Sequence, residues 1–199
     1  MFDLILQNVA RHIQLDAEEQ RCFTDMLLPA TYKSRQMVLQ EGDVCRHTIF
    51  VREGCLRMFN TDKNGYEHVL QFAPPGWWVA DLYSLISQRP GTLYVQALEK
   101  TAALLLPKTS QEQLYRDVPK FERFFRILAE NSLVNNQQRL LDRLSLTAEE
   151  RYDLFCKKYP SLIQCVPQKQ IASYIGVTPE FFSKMRGRKG TRISGIFHT

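Results

Sequence analysis

The sequence predicts an α+β protein: an antiparallel β-barrel, roll or sandwich in the first half, then a long helix, then a small helical unit. Three observations carry this. Between Ser34 and Leu106, short β-branched and aromatic segments recur with Gly, Asn and Pro between them. From Pro119 to Leu144 the apolar residues return at helical spacing. The stretch PQKQIASYIGVTPEFFSKMR, Pro167 to Arg186, reads as two helices joined at a glycine.

Residues 1 to about 30 read as helical, with Leu4, Ile5, Val9 and Ile13 forming an apolar stripe. The strand candidates are Gln36–Leu39, Thr48–Arg52, Cys55–Asn60, His68–Phe72, Leu93–Leu98 and Ala102–Leu106. Asn64-Gly65 between two of them is a hairpin signal, because both residues tolerate positive φ. Ser110 with Gln113 has capping-box spacing and opens a short helix that ends near Asp117. The run Pro119–Leu144 carries Phe121, Phe125 and Leu128 on one stripe and Leu133, Leu140 and Leu144 on another. That is enough apolar surface to cover the β unit and to face a partner helix as well. Thr147 with Glu150 forms a second capping box, opening a helix that reaches about Tyr159.

The C-terminal motif is built from punctuation. Ile171, Ala172 and Ile175 face inward on a first helix, Gln168 to Ile175. Gly176 follows, where a left-handed residue ends a helix. Thr178 caps the next helix, Pro179 takes its first position and Glu180 favours the positive end of its dipole. Phe182 and Met185 pack inward, leaving Ser183, Lys184 and Arg186 outside. A helical hairpin with a solvated basic end is the plainer reading. Charge argues for a helix-turn-helix. The chain carries a net +5; from Ser145 onward there are nine basic and four acidic residues, while the first 144 balance at seventeen each. All of the excess lies on the last quarter, as phosphate neutralisation requires.

Composition excludes other classes. Hydrophobic content of 44% suits a globular chain long enough for two modules. The start MFDLILQNVARHIQLD is broken by charge and does not read as a secretory signal, so a cytoplasmic protein with reduced thiols is expected. Cys22, Cys45, Cys55, Cys156 and Cys165 include no C-x-x-C pair, and the histidines show no metal spacing.

In order along the chain, VLQEGDVCRHTIFVREGCLRMF, the hairpin at Asp62–Gly65, PPGWWVADLYSLI, the long helix and QKQIASYIGVTPEFFSKMR resemble the Crp/Fnr family of transcription regulators. Gly42, Gly54 and Gly76 fall where that family's roll turns. The resemblance covers nearly the whole chain. It implies a cyclic-nucleotide-binding-like β-roll of jelly-roll type over residues 1–116, a dimerisation helix over 117–145, and a helical, winged-helix-like DNA-binding domain over 146–199. It implies double-stranded DNA, a second copy of the chain and RNA polymerase as partners, and no membrane.

The effector segment departs from the family's phosphate cassette of Gly-Glu-Leu and Arg-Ser. Here the triplet reads Ala80-Asp81-Leu82, and Gly91-Thr92 stands at the Arg-Ser position. Gly91 cannot pair with a phosphate, and a lost charge-assisted contact costs roughly 1.5–3 kcal/mol. Effector candidates by register are Trp78, Asp81, Leu82, Arg89, Gly91, Thr92 and Asn135, with Trp77 adding bulk at the pocket edge. Asp81 is equally a helix N-cap. No cofactor is assigned, and a cyclic nucleotide is disfavoured over another effector or none.

The DNA-binding candidates are Gln168, Lys169, Thr178, Pro179, Glu180, Ser183, Lys184, Arg186, Arg188 and Lys189. Glu180 can accept from cytosine N4 and Lys184 can donate to guanine or to phosphate. Arg186, Arg188 and Lys189 are assigned to phosphates. Pro179 replaces a guanine-reading arginine of the family. Gly190–Thr199 reads equally as a small wing or an open end. Two other functions compete. A cupin-like enzyme has no support, since His47 and His68 are isolated. A cyclic-nucleotide module acting on a partner protein is opposed by Gly91 and the basic C-terminus.

Overall fold

The computed structural model describes the backbone of residues 1–194 and the side chains of residues 1–187. It divides into two compact units: Met1–Asn60 with Leu70–Val134, and Thr61–Val69 with the residues from Asn135 on.

In the first unit, helices α1 (Asp3–Ala10) and α2 (Ala17–Asp25) precede eight strands. These are β1 (Leu28–Tyr32), β2 (Met37–Leu39), β3 (His47–Glu53), β4 (Leu56–Thr61), β5 (Glu67–Ala73), β6 (Trp78–Val79), β7 (Tyr94–Ala97) and β8 (Thr101–Pro107), with helix α3 (Leu82–Ser87) after β6. Two four-stranded sheets result, ordered β1-β8-β3-β6 and β2-β7-β4-β5. Their non-consecutive neighbours make a jelly-roll. The inner faces bury Ile49, Val51, Leu56, Val79, Val95 and Ala97. Helix α4 spans Lys108–Asp117 and α5 spans Lys120–Ser145. Outside the roll, Ile5, Val9, Phe23, Phe50, Leu114, Phe121 and Phe124 form a second core, which seats the helices on sheet β1-β8-β3-β6.

Two expectations need correction. The first 30 residues are not one helical stretch. Helix α1 stops at Ala10, and Asp16 starts α2 through a capping box with Glu19. Leu28 already pairs with Leu105 in β1, an edge strand, which is where Pro29 is tolerated in a sheet. Helix α4 begins at Lys108 behind Pro107, so Ser110 sits inside the first turn and caps nothing. Strand β6 is too short to show period-2 alternation.

In the second unit, Thr147 and Glu150 do form a capping box opening α6 (Ala148–Lys158). A single 3-10 turn, Pro160–Leu162, leads to α7 (Gln168–Ile175) and α8 (Pro179–Ser194). Phe155, Tyr159, Leu162, Ile171, Ile175, Phe182 and Met185 form the core. Tyr152 stands edge-on to Phe182 at 5.1 Å. The hairpin tip belongs to this unit: Ser173 Oγ accepts from Val69 N–H at 2.8 Å and donates to the Glu67 carbonyl at 2.6 Å. No helix among the described residues is long and apolar enough to cross a membrane.

Candidate nucleic-acid interface and roll cavity

The α7–α8 pair is assembled as its residues dictate. Gly176 is left-handed at φ 76° and ends α7, its N–H bonding back to the Ala172 and Ser173 carbonyls. Thr178 Oγ1 accepts from Phe181 N–H at 3.2 Å, capping α8. With Phe182 and Met185 buried, the opposite face is fixed by geometry: Gln168, Lys169, Thr178, Pro179, Glu180, Ser183 and Lys184 are all exposed. Arg186 is half-buried, with its charge near Tyr152. The side chains of Arg188 and Lys189, and the tail expected as a wing, lie outside the described residues. Phe181 is 52% exposed on the same face and was missed in the sequence. The signal was available: Phe182 and Met185 define the inner side, and a neighbour 100° away on the helix must point elsewhere.

A cavity of about 430 Å³ opens into the roll. Tyr32, Leu39, Ile49, Val95 and Leu105 give it apolar walls, and Asp43, Cys45, Arg46, His47 and Asp81 line its polar end. Burial, then the Arg46 charge, holds the His47 imidazole below its usual range. Burial pushes the Cys45 thiol up, and Sγ donates to the His47 carbonyl at 3.4 Å.

Asp81 is 1% exposed. Its Oδ1 caps α3 by accepting from Ser84 N–H at 3.1 Å, while Oδ2 is buried without a hydrogen-bond partner. Gly91 packs directly on that oxygen: a Cβ there would strike Asp81 Oδ2. The Gly91 backbone is clamped between Gly42 N–H (2.9 Å) and the Asp43 carbonyl (3.0 Å). Ser84 Oγ accepts from Cys45 N–H and donates to the Arg89 carbonyl.

The remaining effector candidates do not converge on the cavity. Trp78 is part of the outer core, against Phe50 at 5.0 Å and Phe125 at 5.7 Å, with its indole N–H on Asn8 Oδ1. Its ring takes the side of β6 that faces the helices, and strand alternation sends Val79 into the roll instead. Leu82 is exposed on α3, and Arg89 is exposed beyond it. Thr92 contributes its carbonyl to Asn60 Nδ2 at 2.8 Å. Asn135 falls in the second unit.

A cyclic nucleotide does not fit these residues. No arginine follows α3 into the cavity, and the one cavity arginine, Arg46, is exposed at its rim. The buried acidic side chain beside the cavity, Asp81, offers a phosphate no hydrogen-bond donor to replace the missing arginine. Among the described residues no cluster of His, Cys, Asp and Glu could hold a metal ion.

A family model described as a cyclic nucleotide-binding domain matches residues 29–117. The chain is 24% identical over 164 residues to an anaerobic regulatory protein of Pasteurella multocida, covering 77% of this chain and 59% of that one. It is 23% identical to the regulatory protein HlyX of Actinobacillus pleuropneumoniae, covering 77% and 68%. The chain thus spans about three-fifths to two-thirds of these relatives' length. The structure of FixK2 from Bradyrhizobium japonicum superposes with a TM-score of 0.74 at 18% identity, over 83% of this chain and 85% of that one. That likeness establishes the fold.

Proposed function

We propose, from the premise that this chain belongs to the Crp/Fnr family of regulators, that it is a cytoplasmic, dimeric, sequence-specific DNA-binding regulator of transcription and not an enzyme. One observation carries the reading. The pair α7–α8 buries Phe182 and Met185 and leaves Gln168, Lys169, Thr178, Glu180, Ser183 and Lys184 exposed. In a helix-turn-helix the second helix enters the major groove. Glu180 accepts from cytosine N4, Lys184 donates to a guanine edge, and Gln168 and Lys169 meet phosphates at the start of α7. Arg186, Arg188 and Lys189 follow in the sequence and add positive charge. RNA polymerase is the further partner of such a regulator.

The division into effector domain (1–116), dimer helix (117–145) and DNA-binding domain (146–199) goes with this reading. Dimerisation is assigned to the outer stripe of α5. Leu133 and Leu140 are each 60% exposed and Leu144 78%, a seven-residue repeat with Gln137 that suits a helix partner. Two copies so paired set their α8 helices one DNA turn apart, about 34 Å. The roll cavity holds a small effector other than a cyclic nucleotide: cyclic AMP and cyclic GMP bind no tighter than about millimolar.

Salt titration of DNA binding is the test. A regulator gives a steep fall in affinity, with about 0.9 in log–log slope per phosphate contact, together with sequence preference. Replacing Lys189 with Ala lowers the slope by about one and weakens all DNA alike. A flat salt dependence without sequence preference sinks the reading.

A further inference from the structure

The second unit contains a hollow that DNA reading does not use. It measures about 550 Å³ and lies between the C-terminal half of α5, the outer side of α6 and the end of α7. Five cations line it: Arg139, Arg143, Arg151, Lys157 and Lys158. One carboxylate faces them, Asp142, and it already accepts from Gln138 Nε2 at 2.8 Å.

Part of this charge has a structural purpose. Arg139 donates to the Tyr174 carbonyl and lies 4.2 Å over its ring. Arg151 donates to the Ile175 carbonyl at 2.8 Å and the Leu146 carbonyl at 2.6 Å. Both thereby satisfy carbonyls at helix ends. Lys157 and Lys158 occupy the last turn of α6, where its dipole favours cations. None of this explains Arg143. Its guanidinium makes no hydrogen bond and no ion pair among the described residues. It lies against Gly176 at the C-terminal end of α7, and burial, then the charges of Arg139 and Arg151, weaken its hold on its proton, with Tyr174 acting the other way. Burial and Arg139 act on Lys158 in the same direction. Like charges gathered round a hollow are unfavourable unless something negative enters it.

We propose that this hollow is a binding site for a small, multiply charged phosphate compound. Its phosphates sit among Arg143, Lys157 and Lys158, whose charges it neutralises together. Leu154 and Ile175 provide an apolar floor for an organic body, and the volume is that of a small-molecule site. The site remains open in the dimer assigned above. At 100° per residue, positions 135, 138, 139 and 142 lie on the side of α5 opposite the Leu133–Leu140–Leu144 stripe, and Arg143 lies at the flank between the two. Because the hollow joins α5 to the end of α7, occupancy fixes the first helix of the DNA-reading pair against the dimer helix. The same ligand therefore changes DNA affinity, and DNA changes the ligand's affinity by the same factor.

Calorimetric titration of the full chain with inorganic pyrophosphate and with ATP tests this. The expected result is saturable binding of at least one of them, one per protomer, at sub-millimolar concentration. Replacing Arg143 with Ala weakens it by about tenfold or more, equal to about 1.4 kcal/mol. Lys157→Ala weakens it less. Lys184→Ala, on the DNA-reading face, leaves it unchanged, which separates this site from the groove-facing surface even if the DNA reading is wrong. Arg143 holds no bond in the fold, so its variant keeps the parent's melting temperature; should it not fold, Lys157→Ala carries the comparison with Lys184→Ala. Absence of saturable heat with both compounds up to about 5 mM, well above the millimolar range worth about 4 kcal/mol, overturns the proposal. So does equal weakening by the Arg143 and Lys184 variants, which is the signature of a diffuse positive field or of a DNA-phosphate surface.

Discussion

The loop from Asp81 to Thr92 and the helix pair from Gln168 to Gly187 are both rich in polar residues, yet they do opposite things with them. From Asp81 to Thr92 the two buried polar side chains are engaged by the fold: Asp81 caps α3 and Ser84 ties Cys45 to Arg89, while the Gly91 backbone is held by Gly42 and Asp43. In the helix pair, Gly176 and the Thr178 cap set the turn, Gln170 is buried and Ser173 is bonded to the hairpin tip, while the side chains of Gln168, Lys169, Glu180, Ser183 and Lys184 stay exposed. A polar segment therefore signals a ligand only when its own backbone leaves its side chains unengaged. Substitutions in the loop should move stability. Substitutions on the exposed face should move DNA affinity.

The largest effect tests the inner side of the helix pair. Phe182 is fully buried, and Phe182→Ala should destabilise the second unit by about 3–5 kcal/mol and abolish DNA binding with it. An unchanged melting curve would reverse the inner and outer assignments. Gly91→Arg, the substitution that restores the family's arginine, should destabilise the roll by about 1–3 kcal/mol, because its Cβ displaces Asp81. It should bring no binding of cyclic AMP; micromolar binding by calorimetry would show the loop to be a dormant cassette.

Lys184→Ala sharpens the other side of the comparison. It should weaken operator binding by about 1–3 kcal/mol, relax preference at one base position per half-site and leave melting unchanged. Affinity and preference both untouched would mean that α8 is misplaced in the groove. Thr178→Ala removes the cap on α8 and should cost about 1 kcal/mol in stability, with a parallel loss of DNA affinity.

The smallest effect is a pH slope in the roll. Burial lowers the His47 pKa from its ordinary 6.5, so the folded state prefers the neutral ring. Its contribution is present above about pH 6.5 and is lost as pH falls through the lowered folded value. Thermal melts should show this acid slope in the parent and a weaker one in His47→Gln.

Much of the molecule was legible without coordinates wherever a local rule decides. The hairpin at Asn64-Gly65 forms, with Gly65 alone at positive φ, and the capping box at Thr147 and Glu150 and the sequence Gly176–Thr178–Pro179 likewise fix backbone geometry within a few residues. The exposed leucines of α5 follow from period alone. Tertiary structure decided what local pattern cannot contain. Strand β1 depends on its pairing with β8 some seventy residues away. Trp78 went to the outer core because strand alternation aims its ring at Phe50, Phe124 and Phe125, while its neighbour Val79 entered the roll. Asp81 and Gly91 form one packed unit only because α3 and the following loop bring them together. The cluster of Arg139, Arg143, Arg151 and Lys158 depends on three helices meeting, and charge patterning along the chain carries no record of that. Capping, turns and period act within one helical turn of the chain, whereas burial, charge clustering and cavity shape are sums over segments far apart in sequence.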